Sequence, residues 1–273
     1  MHRLCPVGSV RNRSLLGATG SESLSALLAS ATRDAHDKSD ALIRSKMALV
    51  FADPAAWAAL LSQFSHVFCT IESSLNTCSD PRLAALHASF FLRLARRDPF
   101  VADISFYGAL SPPVAATLHY QRRIEAAARE SPLHLLAFAQ TMYVALFAGG
   151  STLRRLLRAA RGLGPSEAEG SRIFEFDAFP DADSKRVFRA ALKSAVDALG
   201  ESLTAAEVSS LVACKRAIFS LNDAVIREVL TELHGSVTFS CLVIARNLLM
   251  ARWQLFALLL AIIGVVHALW LPR

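Results

Sequence analysis

Gly149 and Gly150 sit side by side in a stretch that otherwise wants to be one long helix. From Pro132 to Arg161 the chain reads PLHLLAFAQTMYVALFAGGSTLRRLLRAAR, rich in Leu, Ala and Arg, with no proline after its start. Each glycine inside a helix costs about 1 kcal/mol relative to alanine, because its bare backbone loses more freedom on ordering. A pair of them needs a physical reason. One reason is a kink or a close helix crossing. The other is a backbone lying directly against a large flat ligand, where a Cβ would intrude. The rest of the chain favours the second.

Helix signals continue on both sides of this stretch. Ser23 can cap a helix running to about Met47. Asp53-Pro54 places a capping acid before a proline at the first helical position and opens a helix through Trp57 towards Cys78. Ser111-Pro112 and Ser131-Pro132 repeat that start signal. Thr204 and Glu207 form a capping box, and Gly200 suits the end of the helix before it. No stretch alternates with period two between hairpin signals, and no internal repeat is visible. The expected fold is all-α, with a single helical domain over residues 21–235, roughly 215 residues and large enough for a core and a pocket.

The two ends read differently. Trp253 to Leu271 is WQLFALLLAIIGVVHALWL, nineteen residues without a formal charge, about the length that crosses a bilayer as a helix. Trp253 and Trp270 mark its ends, and Arg246 and Arg252 precede it. The expectation is a C-terminal transmembrane anchor over 252–273, joined by a juxtamembrane linker over 236–251, with the preceding chain on the cytosolic side. Residues 1–20 carry Arg3, Arg11 and Arg13 and no acid. They resemble a mitochondrial targeting peptide but are short and weakly amphipathic, and so read as a flexible leader. That leader holds Cys5-Pro6, a dipeptide that in other proteins binds heme through its thiolate.

Charge and cysteine usage exclude several classes. The five cysteines are scattered, odd in number and without a CxxC pair, which argues against a disulfide framework or a zinc site. The net charge of +6 is spread along the chain rather than gathered with aromatics, so nucleic acid is not an expected partner. His36 lies midway along the first helix, with Asp40 one turn on, where its carboxylate can orient the imidazole. None of the eight histidines is spaced to supply a second metal ligand beside it. A lone imidazole facing a glycine-bearing helix points to heme, which needs one proximal ligand and a flat slot, rather than to a bare ion. Surface or core histidine is the ordinary alternative.

Taken together, these segments resemble the heme oxygenase family. The similarity covers about Leu24 to Leu230. It is strongest in the helix leading to His36, the Gly149-Gly150 helix, the segment FPDADSKRVFRAALKSAVDAL from Phe179, and CKRAIFSLNDAVIREVL from Cys214. Animal-type members also carry a C-terminal anchor. By position, the resemblance implies that His36 is the proximal heme-iron ligand and that Gly149 and Gly150 lie over the heme. Arg189 and Lys193, one helical turn apart, are implied as partners of the heme propionates. Phe219 is implied as a pocket aromatic and Asn222 as part of the distal hydrogen-bond network. Arg154 and Arg155, continued by Arg158 and Arg161, match positions near the surface where a cytochrome reductase docks.

The departures from the family pattern are as informative. A Gly-Asp pair precedes the distal glycines in the family, and its acid holds the water that delivers protons during oxygen activation. Here those positions are Ala145 and Leu146, and no acid lies between Ser131 and Gly164. Met142 replaces a basic residue, and Gln140 replaces a tyrosine near the propionates. The expected function is oxidative cleavage of heme to biliverdin, CO and iron, using O2 and electrons from an NADPH-dependent reductase. The alternatives are a heme carrier, buffer or sensor that does not cut its ligand, favoured by Leu146, and a helical adaptor without ligand. The expected location is the cytosolic face of the endoplasmic reticulum, with the mitochondrial outer membrane as the alternative.

Overall fold

Asp53 and Pro54 start a helix as the sequence predicts. The Asp53 carboxylate accepts the backbone N–H groups of Ala55 and Ala56, two donors that the first turn would otherwise leave unpaired. In the computed structural model, which describes residues 22–164 and 169–234, this helix is α3 (Pro54–Asn76). It follows α1 (Leu24–Ser30) and α2 (Arg33–Ala52) and precedes α4 (Pro81–Ser89), α5 (Arg97–Tyr107), α6 (Ala115–Glu130), α7 (His134–Arg161), α8 (Ala182–Gly200) and α9 (Ala205–His234). Short 3-10 turns cover Phe91–Leu94 and Arg172–Phe174. Among the described residues there is no strand, in line with the absence of period-two patterning.

Helix α3 is the centre of the bundle. It packs against α5, α6, α7 and α9, and buries Trp57, Leu60, Leu61, Val67, Phe68, Ile71 and Leu75. Those positions recur every three or four residues and line one broad face. Helix α7 is long and apolar enough to cross a membrane by composition, yet 56% of that window is buried inside the protein, so it is a core helix. The Thr204–Glu207 capping box forms as read, with Glu207 N–H donating to the Thr204 hydroxyl and Thr204 N–H to the Glu207 carboxylate. Gly200 ends α8, where a Cβ would lie 2.5 Å from that of Leu24.

Three helix starts differ from the sequence reading. The first helix does not run unbroken to Met47. It stops at Ser30 and resumes at Arg33, because the Thr32 hydroxyl donates to the Leu28 carbonyl and competes with the helical ladder there. Ser23 occupies the N-cap of α1, but its hydroxyl makes no cap bond. Helix α6 begins at Ala115 rather than after Ser111-Pro112. Gln63 and His66 of α3 bond the 111–114 segment as a loop, and the Glu228 carboxylate of α9 takes the Ala115 and Ala116 N–H groups. Helix α7 begins at His134, two residues after Pro132, which lies in a turn. The leader with Cys5-Pro6, the linker over 236–251 and the apolar tail over 252–273 lie outside the described residues.

Candidate functional site

A cavity of about 160 Å³ lies where α7 faces α2. Met142, Ala145, Leu146 and Leu153 form a row on α7 at helical spacing, and Ile43 and Met47 face it from α2. Trp57, Leu60, Leu61 and Phe64 of α3 and Asn222 and Ile226 of α9 close the remaining sides. The lining is almost wholly apolar. Two polar atoms in it, Asn222 Oδ1 and Trp57 Nε1, are buried and have no hydrogen-bond partner among the described residues. An unpaired buried acceptor and donor are costly unless a ligand or water completes them. The Trp57 indole was missed in the sequence, where it read only as a core aromatic. Its N–H is the signal, since a buried tryptophan ordinarily needs a partner for it.

The two glycines of α7 have different reasons. Helix α7 runs unbroken past both. Gly150 is buried, and a Cβ on it would come within 3.3 Å of the Phe174 ring, so close packing of the 172–174 turn accounts for it. A Cβ on exposed Gly149 would meet nothing within 4 Å. Packing among the described residues therefore supplies no reason for Gly149.

The turn beneath Gly150 is held from several sides. Asp103, fully buried on α5, accepts the N–H groups of Arg172 and Ile173 at 2.8 and 2.9 Å. Burial pushes its carboxyl up to about 6 despite those two donors. The Arg96 guanidinium donates to the carbonyls of Leu94, Ala95, Ile173 and Glu175 and lies 3.8 Å over the Phe176 ring. Arg158, also buried, donates to the Ser171 hydroxyl at 2.9 Å.

His36 lies on the α2 face that continues to Ile43 and Met47, at i, i+7 and i+11. Its side chain is 62% exposed, with Nδ1 3.5 Å from the Asp37 carboxylate. The edge of the imidazole meets Phe219 of α9, ring centres 5.8 Å apart, which brings two sequence-predicted site residues together. Two polar ties flank that contact. Arg216 binds Asp34 at 2.6–2.8 Å, and the Ser39 hydroxyl donates to Asp223 at 2.7 Å.

The predicted cations are placed less favourably. Arg189 is exposed on α8, and Lys193 is paired with Asp197 at 2.7 Å; neither lines the cavity. The basic run on α7 is not a continuous solvent-facing stripe. Arg158 is buried, Arg154 pairs with Glu175 at 2.6 Å, and Arg161 reaches the Ala52 carbonyl, which leaves Arg155 exposed. These side chains bolt α7 to its neighbours.

The donor set fits a flat apolar ligand that takes one axial nitrogen. His36 offers the imidazole, Gly149 an open backbone, and Asn222 and Trp57 a polar pair inside an otherwise dry wall. At about 160 Å³ the cavity is smaller than the ~300–1,000 Å³ usual for small-molecule pockets.

Comparison with known proteins identifies a family. The family model described as heme oxygenase matches residues 22–228. Heme oxygenase 2 of Synechocystis sp. is 26% identical over 183 residues, covering 65% of this chain and 69% of that protein. Heme oxygenase of the alga Guillardia theta is 27% identical over 182 residues, covering 65% and 73%. In three dimensions, the crystal structure of Synechocystis heme oxygenase-2 in complex with heme and NO matches with a TM-score of 0.70 at 22% identity, covering 81% of this chain and 92% of that one.

Proposed function

The chain belongs to the heme oxygenase family, and we propose that it binds heme between α2 and α7 and cleaves it oxidatively to biliverdin, CO and iron. Heme is both substrate and prosthetic group, O2 is the oxidant, and a reductase supplies the electrons. The observation that carries this reading is the apolar cavity between those helices, with His36 on the α2 face and an unobstructed Gly149 on α7. Heme, when bound, brings the iron and the oxidisable ring together. The imidazole of His36 would hold the heme iron, and Phe219 limits how far that ring turns. Gly149 lets the α7 backbone approach the ligand plane. Asn222 Oδ1 and Trp57 Nε1 are a buried acceptor and donor of this cavity that would hold water in the absence of an acid on α7. Leu146 keeps the adjoining wall dry.

A second reading rests on that wall. Ala145 and Leu146 line the cavity, and neither can hold or pass a proton. On this reading the chain stores, carries or senses heme without cutting it.

Three features are added as proposals. The apolar segment 253–271 anchors the protein in a membrane, as in the animal-type arrangement, with the helical domain on the cytosolic face of the endoplasmic reticulum or of the mitochondrial outer membrane. A reductase docks near exposed Arg155, beside Arg154. Arg189 approaches the propionate edge once ligand is seated.

The test is a visible absorption time course on the full chain, with hemin, then NADPH and a cytochrome reductase in air. Decay of the Soret band with growth of a broad red biliverdin band is expected. A Soret band that persists through reduction favours the second reading, and Leu146→Asp should then gain turnover if the missing acid is the cause. His36→Ala should lose the axial-ligand spectrum, and an unchanged spectrum overturns the assignment of His36.

A further inference from the structure

Among the described residues, Lys215 is a charge without a counter-charge. It lies on α9 one turn before Phe219 and seven residues before Asn222, so all three share one face of α9, on which Asn222 lines the cavity and Lys215 lies two turns beyond it. Its Nζ stands 3.4 Å from Oε1 of Gln140 on α7, and that neutral amide is its recorded partner among the described residues. Desolvation holds the ammonium down at about 8. The next residue, Arg216, shows the contrast, since its guanidinium is fully engaged by Asp34. Helix α9 therefore presents two consecutive cations, one neutralised and one not. A partly buried ammonium against an amide alone is unfavourable until an anion joins it.

We propose that Lys215, with Gln140 beside it, binds a carboxylate of the tetrapyrrole ligand, a role that the family resemblance implies for Arg189 and Lys193. The proposal rests on the heme reading above. Lys193 is a poor candidate because its ammonium already sits 2.7 Å from Asp197, whose other oxygen takes the Ser25 N–H at 2.8 Å and ties α8 to α1. An incoming carboxylate would have to share that ammonium with Asp197. At Lys215 it meets no competing carboxylate among the described residues. The amide geometry also suits it: Gln140 accepts from Lys215 through Oε1, which leaves Nε2 as a second donor to the same carboxylate. A charge-assisted hydrogen bond in partly desolvated surroundings is among the stronger polar contacts a protein makes.

The experiment is a Soret titration of the full chain with two ligands, hemin and hemin dimethyl ester, whose carboxylates are masked. Lys215→Met keeps the length of the side chain and removes the charge. It should weaken hemin binding about tenfold, or ~1.4 kcal/mol, and leave dimethyl ester binding unchanged. Lys215→Arg should restore most of the hemin affinity. If Lys215→Met does not fold, as read by far-UV circular dichroism, Lys215→Gln replaces it, since it retains a bond to Gln140 without charge. Equal losses for the two ligands, or unaltered hemin affinity, overturn the proposal while wild-type binding keeps the heme reading intact. A wild-type chain that binds neither ligand overturns both readings together.

Discussion

The two walls of the cavity are held by different physics. On the α7 side the support is buried: Gly150 against Phe174, the 172–174 turn on the Asp103 carboxylate, and Arg158 on Ser171. On the α2 side the first turns are exposed at Arg33, Asp34, His36, Asp37 and Lys38, and polar contacts to α9 keep them in place. Buried hydrogen bonds with no access to water are costly to break, while exposed ion pairs are worth little. The α7 wall is therefore the fixed one. The α2 wall is the one expected to yield if a ligand larger than about 160 Å³ enters.

The largest expected effect is at the buried support. Asp103→Ala leaves two N–H groups of the 172–174 turn unpaired and should lose about 2–4 kcal/mol, read from urea unfolding. The same group gives a pH signature. The folded protein keeps the Asp103 proton up to about pH 6, whereas the unfolded chain releases it near pH ~3.9. This contribution to stability is full below the unfolded value and is lost as pH rises through about 6. Asp103→Asn should remove that slope, and an unaltered slope would assign it to another group.

The glycine pair separates packing from ligand contact. Gly149→Ala meets open space and gains helix propensity, so it should stabilise the fold by up to about 1 kcal/mol while weakening hemin binding. Gly150→Leu should instead cost about 1–3 kcal/mol by overpacking against Phe174. Tighter hemin binding by Gly149→Ala would mean that the α7 backbone does not approach the ligand there.

The smallest effects belong to the α2 seam. Ser39→Ala removes the hydrogen bond to Asp223 and should cost about 1 kcal/mol. Arg216→Ala should cost less than about 1 kcal/mol because its pair with Asp34 is exposed. Both should speed hemin uptake by loosening α2. Slower uptake would show that the seam pre-forms the site instead of gating it.

Local signals were legible where one segment carries the whole cause. The Asp53-Pro54 start, the Thr204–Glu207 box and the long apolar pattern of α7 could all be read without a fold, since each depends on neighbours within a turn or two. The starts after Ser111 and Ser131 were misplaced for the opposite reason. Glu228 caps α6 from more than a hundred residues away, and no local pattern announces it.

By itself, the sequence determined the all-helical class, the glycine-bearing α7 and the family signature around His36, because periodicity and capping are properties of contiguous residues. Tertiary structure decided which charges are free to act. Lys193 and Lys215 look alike in a string of letters, yet Asp197 neutralises one and an amide alone meets the other. Gly149 and Gly150 are adjacent and chemically identical, and only the approach of Phe174 tells them apart. Pairing, burial and close approach depend on residues far apart in the chain, so they exist only once the chain is folded.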